Sequence, residues 1–204
     1  TEKSKKTTCN MEIIKKISLL LFLPLSLIAQ NDDVLDDVNK YLKNQNTEII
    51  FVSIKKQKLF HIVNKQVLSN YIISTSKYGI GNKNGSNKTP TGLHQIKQKI
   101  GDKVPINGRM IGRVFTGEIA EIYNDNRVSK TDDITSRILW LDGLEIGVNK
   151  GANIDSFNRY IYIHGTSEEG RLGEPSSNGC IRMKNKDIID LYKKIEVGTL
   201  VLIL

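Results

Sequence analysis

The sequence predicts a mainly β domain, a sandwich or a partly open barrel, with one short amphipathic helix near its end. Three observations predict it. From Glu48 onward the apolar residues fall in short runs separated by polar connectors. Helical spacing appears in only two stretches, one before this β-rich body and one close to its end. At 204 residues, with 39% hydrophobic and 25% charged residues, the chain has the composition of a globular protein and the length of one domain, with little room for a second catalytic unit.

The elements follow in order. Between Asp32 and Asn46 the apolar residues Val34, Leu35, Val38, Tyr41 and Leu42 match one helical face, a short lead-in. Ile49–Ile54, Leu59–Val63 and Val67–Ser76, joined by Lys55-Lys56-Gln57 and Asn64-Lys65-Gln66, read as a β-meander. A Gly, Asn and Lys loop over 79–88 leads through Thr89-Pro90-Thr91-Gly92 into a strand over Leu93–Ile100. The stretch from Gly101 to Asp133 reads as loop-rich, either a cover for a cleft or a surface insertion. Strands are expected at Arg137–Leu141 and Tyr160–His164. Ile188, Leu191, Tyr192 and Ile195 mark the helix, and Leu200–Leu204 the last strand.

The N-terminal part reads as a targeting segment. Lys15 and Lys16, an apolar run from Ile17 to Ile28, and Ala29 before a polar stretch form a secretory signal over Met11–Ala29. The run is shorter than the roughly 20 apolar residues that span a bilayer, and Pro24 opposes a buried helix. Leu27 stands where a small residue is preferred for cleavage, so an uncleaved anchor stays open as the one route to a membrane. Thr1 to Asn10 precede Met11, a candidate initiator, and Cys9 lies on the wrong side of the run for lipid attachment. Export of this kind implies a periplasmic or cell-envelope protein, divided into 1–29, a lead-in over 30–47, and a domain over 48–204. Cys180 is then the one cysteine left, so no intramolecular disulfide can form, and a nucleophile is one good reason to keep a lone thiol in an oxidising space.

The net charge of +8 does not make a nucleic-acid protein. Lysines and arginines are dispersed without an aromatic-basic module, and five lysines against two glutamates before residue 17 hold three of the surplus charges. What remains suits a solvated surface or a polyanionic envelope. Three histidines without ligand spacing make no zinc site, and no cofactor is implied.

Chemistry concentrates near the end of the chain. In Tyr160-Ile161-Tyr162-Ile163-His164, strand alternation places His164 on the face of Tyr160 and Tyr162, with Gly165 letting the chain turn after it. Then comes Ser177-Asn178-Gly179-Cys180-Ile181-Arg182-Met183, where Gly179 allows Cys180 to be presented on a tight turn. A thiol with a pKa of about 8.5 is mostly protonated at neutral pH, and a nearby imidazole is needed to take its proton. That makes Cys180 the candidate nucleophile and His164 its base. The N–H groups of Gly179 and Cys180 are candidate oxyanion donors. Arg182 is a candidate ligand for a substrate carboxylate or carbonyl. Ser177 and Gly165 complete the candidate substrate-binding set. Taken singly, Cys180 would be a core thiol, His164 a satisfied core histidine and Arg182 a surface ion-pair member; the joint pattern outweighs those readings.

That pattern resembles the signature of the L,D-transpeptidase (YkuD-like) catalytic domain family: His-Gly-Thr, a spacer, then Ser-x-Gly-Cys, an apolar residue and Arg. Thr89-Pro90-Thr91-Gly92 is similar to the family's Thr-Pro-x-Gly segment, and Val197-Gly198-Thr199 to its Gly-Thr turn before the last strand. The resemblance spans Glu48 to Leu204. It implies an L,D-transpeptidase-like β-sandwich and a bacterial envelope enzyme acting on peptidoglycan stem peptides, without a metal. In such enzymes the cysteine attacks the bond after the third residue, releases the terminal D-alanine, and passes the acyl group to an amine, which a D-amino acid or a protein can also supply. Some relatives have His where Asn178 stands, and His61 and His94 fall in other strands, which leaves His164 as the base. Its orienting partner is either a backbone carbonyl such as that of Gly165 or a side chain. A hydrolase using the same acyl-enzyme, an L,D-carboxypeptidase or amidase, is the alternative. A non-catalytic wall-binding module and a sortase-like enzyme fit less well, the latter because Gly179 precedes Cys180 and Arg182 follows so closely.

Overall fold

The computed structural model describes residues 25–42 and 48–204, with side chains from residue 33. Apart from the backbone of 25–29, the secretory signal, Met11 and Cys9 lie outside the described residues. The chain falls into two compact units, Thr1–Gln45 and Asn46–Leu204. In the first, the lead-in is an 18-residue helix, α1 (Leu25–Leu42), with Val34, Val38 and Leu42 at four-residue spacing along one face. It opens earlier than the apolar spacing predicts.

The second unit is mainly β. Its strands are β1 (Ile49–Ser53), β2 (Lys58–Val63), β3 (Gln66–Ser74), β4 (Gly92–Ile100), β5 (Gly108–Ile111), β6 (Val114–Ile119), β7 (Ile134–Gly143), β8 (Tyr162–Gly165), β9 (Ile181–Met183) and β10 (Leu200–Ile203). The helix α2 (Asn185–Lys194) follows β9. Hydrogen bonding runs in the order β4-β10-β1-β2-β3-β9-β8-β7-β5-β6, and β4 also pairs with β7. That pairing brings the sheet back on itself, so that its inner faces enclose one core. Most neighbours are antiparallel; β1 with β10 and β8 with β9 are parallel.

The core collects the inward residues of these strands, among them Ile50, Val52, Leu59, Ile73, Leu139, Leu141, Ile163, Ile181 and Val201. From α2, Ile188 and Leu191 join it and are fully buried, each worth about 1.5–3 kcal/mol of apolar burial. Lys193 and Lys194 in the last turn of α2 complement its dipole.

Two expectations are corrected. The loop-rich stretch 101–133 contains the hairpin β5–β6. It escaped a periodicity search because every residue of β6 is exposed, and because its turn uses Gly112 and Arg113, both at positive φ, in place of Asn-Gly. The strand expected from Tyr160 begins at Tyr162, since Tyr160 has φ +56 and breaks the alternation.

Candidate active site

Parallel pairing of β8 with β9 sets His164 opposite Arg182 and Ile163 opposite Ile181. Paired residues of adjacent strands project to the same face, and the face repeats every second residue. Tyr162, His164, Arg182 and Cys180 therefore share one face of the sheet, with Cys180 just ahead of β9 and beside Tyr162. The sulfur sits between two main-chain groups: the Tyr162 N–H donates to Sγ at 3.4 Å, and the thiol donates to the Tyr160 carbonyl at 3.4 Å. The left-handed backbone of Tyr160 comes immediately before these contacts.

His164 is buried, and its Nδ1 lies 2.7 Å from the Gly165 carbonyl. A carbonyl only accepts, so the proton is on Nδ1 and Nε2 carries the lone pair. Of the two orienting groups open from sequence, the structure holds the main-chain one. Gly165 itself is in extended β8; a Cβ there would come within 2.6 Å of Asn185 Oδ1 and 2.7 Å of the Thr135 carbonyl, so the site needs a glycine for close packing. Burial drives both His164 and Cys180 toward neutrality. It lowers His164 to about 4 and raises the Cys180 thiol to about 12, with the Tyr162 N–H and the Arg182 and Arg159 charges opposing the latter.

The turn before Cys180 is held from two sides. Gly179 has φ +125, a conformation that favours glycine. The Ser177 hydroxyl donates to the Cys180 carbonyl at 2.6 Å and accepts the Gly179 N–H at 3.2 Å. The Gly179 N–H is thus engaged, and of the two expected oxyanion donors it is the one that would have to exchange partners. Thr89, from the Thr-Pro-Thr-Gly segment, donates to the Gly179 carbonyl at 3.0 Å and accepts the Ser76 N–H at 2.9 Å.

Arg182 is also committed. One terminal nitrogen donates to Glu168 at 2.8 Å and the other to Asp132 at 2.5 Å, while Glu168 also accepts from Arg171 at 3.2 Å. Arg182 and Glu168 are each about 98% buried. His61, in β2, pairs with Glu48, and His94, in β4, bonds the Gly92 carbonyl and Ser156; neither is drawn into this cluster.

Several neighbours carried no signal in the sequence. Arg159, half-buried, donates to the carbonyls of Gly81 and Lys88 at 3.2 and 2.7 Å and puts a cation within electrostatic reach of Cys180. Arg113, at the tip of the β5–β6 hairpin, donates to the Tyr162 hydroxyl at 3.2 Å and lies over the Trp140 ring. Trp140 stacks on Phe157 at 4.1 Å, and the apolar group formed by Met110, Ile138, Trp140 and Tyr162 packs against Cys180. His164 and Cys180 thus lie on one face of the β8–β9 pair, the imidazole fixed by the Gly165 carbonyl and the sulfur by the main chain of Tyr160 and Tyr162.

Comparison with known proteins places the chain in a family. The family described as the YkuD L,D-transpeptidase catalytic domain matches residues 47–203. YqjB of Bacillus subtilis (strain 168), whose name assigns it provisionally to the L,D-transpeptidases, is 54% identical over 45 residues, 22% of this chain and 26% of that protein. YkuD of the same organism, named in the same way, is 49% identical over 41 residues, 20% of this chain and 25% of that protein. The alignments thus span about a quarter of either relative. Among solved structures, an L,D-transpeptidase (residues 123-326) from Xylanimonas cellulosilytica DSM 15894 superposes with a TM-score of 0.50 at 16% identity, covering 79% of this chain and 62% of that one, a likeness of fold.

Proposed function

Because the chain belongs to the L,D-transpeptidase catalytic-domain family, which its residues 47–203 match, we propose that it forms a thioester on Cys180 with a peptidoglycan stem peptide and transfers the acyl group to an amine. The observation that carries this reading is the shared face of β8 and β9, where Cys180 sits beside Tyr162 and His164 keeps Nε2 unprotonated. In the proposed reaction His164 Nε2 takes the thiol proton as Sγ attacks the carbonyl of the third stem residue, whose bond to the terminal D-alanine breaks. The Cys180 N–H, joined by that of Gly179 once it leaves Ser177, receives the oxyanion. The protonated His164 then gives its proton to the departing D-alanine amine. An incoming amine, from another stem, a D-amino acid or a protein, loses a proton to His164 as it displaces sulfur. Residues 48–204 carry this chemistry, and the Met11–Ala29 segment exports it to the cell envelope.

The test incubates the purified protein with tetrapeptide muropeptides, with and without an amine acceptor, beside Cys180→Ala. The expected result is D-alanine release with a cross-linked or amine-capped product, absent in the variant. Shortened tripeptide alone, whatever the acceptor, would make the enzyme a hydrolase. Full activity in Cys180→Ala would overturn the nucleophile.

A further inference from the structure

We propose that Arg182 and Asn178 form a carboxylate-binding subsite that Asp132 occupies from within the chain, and that a substrate carboxylate binds by displacing it. The proposal deepens the thioester reading and rests on it for the identity of the substrate. Both oxygens of Asp132 are cradled: Oδ1 by a terminal nitrogen of Arg182, and Oδ2 by the Asn178 amide at 2.7 Å. Two donors from the segment around Cys180 meeting two oxygens of one carboxylate is the geometry by which a carboxylate ligand is held.

The carboxylates around Arg182 differ in how firmly they are held. Arg171 and Arg182 share the buried carboxylate of Glu168, at 3.2 and 2.8 Å, and Arg171 also faces the more exposed Glu174 at 3.8 Å, so Asp132 is the second carboxylate of Arg182 alone. The Asp132 side chain is a third exposed, against 2% for Glu168, and its backbone holds φ +46. It is the replaceable member of the set. A second observation points to a ligand: the Nε of Arg182 is buried and has no hydrogen-bond partner, so the guanidinium has an unused donor. A cavity of about 420 Å³ lies alongside, lined by Lys77, Lys130, Asp132, Arg171, Asn178 and Arg182.

The neighbouring anchor differs in kind. Asp133 is fixed by Arg109 at 2.9 Å and by hydroxyls of Thr131 and Ser167 at 2.6 and 3.0 Å. Release of Asp132 therefore leaves the strand β7 anchored. Two carboxylates of a tetrapeptide donor fit the same chemistry, the one on the terminal D-alanine and the one on the third residue's side chain.

The experiment uses synthetic tetrapeptide donors as the free acid, as the C-terminal amide, and as the amide of the third residue's side-chain carboxylate. Binding is measured by calorimetry on Cys180→Ser, alone and combined with Asp132→Asn, and acylation by intact mass on the protein with native Cys180. One of the two amides should bind about tenfold or more weaker than the free acid, the size of a charge-assisted hydrogen-bonded pair, and which amide it is identifies the carboxylate. Asp132→Asn should tighten the free acid about tenfold and leave that amide unchanged. Equal affinity for all three donors, or equal change in all three on Asp132→Asn, would overturn the subsite. If the free acid is preferred in binding but no donor acylates Cys180, the subsite stands and the thioester reading falls. Acylation of Cys180 by all three donors, with no preference among them in binding, would overturn the subsite and leave the thioester reading standing.

Discussion

Thr89→Val is the substitution that most directly separates the turn before Cys180 from the rest of the fold. Thr89 is fully buried, and its hydroxyl makes two bonds: it accepts the Ser76 N–H and donates to the Gly179 carbonyl. Valine keeps the shape, so no cavity opens, but both main-chain groups lose their partner. A buried polar group left unsatisfied costs about 1–3 kcal/mol, so the two together cost about 2–6 kcal/mol. Thr89→Ser keeps both bonds and loses one methyl group, about 1 kcal/mol. Urea unfolding of the three proteins at pH 7.5, at unchanged m-value, measures the difference. Acylation of Cys180 should fall with Thr89→Val and stay near wild type with Thr89→Ser, because the Gly179 carbonyl is freed in one and held in the other. A valine variant within about 0.5 kcal/mol of the serine variant, well below the expected gap, would refute the assignment of Thr89 as a clamp.

Gly165→Ala should cost about 1–3 kcal/mol through the clash of its Cβ with Asn185 and Thr135, read as a shift in the urea midpoint; a neutral outcome would mean that β8 can move away from α2. Glu168→Gln should cost about 3–5 kcal/mol, because it leaves Arg182 and Arg171 without their shared buried carboxylate, and thermal unfolding would show it as a large fall in Tm. Stability should also fall with acid. His164 and His94 are both held down to about 4 by burial, so between pH 6.5 and 4 the unfolded chain binds protons that the folded one does not. Their contribution is complete above pH 6.5 and is lost as the pH drops toward 4, at up to about 1.4 kcal/mol per pH unit for each histidine. Urea midpoints that do not change from pH 7 to pH 4.5 would contradict it. At the alkaline end the sign reverses: the thiol raised to about 12 keeps its proton in the folded protein, so labelling of Cys180 by iodoacetamide at pH 9 should be slow when folded and fast in urea.

The strands of the sheet are more legible in the sequence than the surroundings of His164 and Cys180. β1, β2, β4 and β10 lie within one or two residues of the predicted runs, because alternation and polar turns are local signals. The hairpin β5–β6 was illegible since a fully exposed strand has no apolar face to alternate. Gly165 was singled out for a turn, and its reason proved to be packing against Asn185, a partner twenty residues away whose approach no local pattern announces. Arg182 is expected from sequence as a ligand for a substrate carboxylate or carbonyl; its partners in the structure, Asp132 and Glu168, come from loops fifty and fourteen residues earlier. The same holds for Arg159, whose carbonyl partners at Gly81 and Lys88 lie more than seventy residues before it.

The neutral state of His164 and Cys180 favours one order for the proposed reaction. With the imidazole near 4 and the thiol near 12, a resting thiolate–imidazolium pair is disfavoured from both sides. In the proposed reaction proton transfer to His164 accompanies the attack of sulfur, as charge moves from Sγ to the substrate oxygen. The fixed groups suit that order. The Tyr162 N–H donates to Sγ and would stabilise negative charge on sulfur as the proton leaves, and Arg159 and Arg182 add positive potential without a hydrogen bond to the thiol. A carboxylate arriving at Arg182 would replace Asp132 charge for charge, leaving the potential at Cys180 nearly unchanged. The subsite can thus select the substrate without altering the reactivity of the thiol.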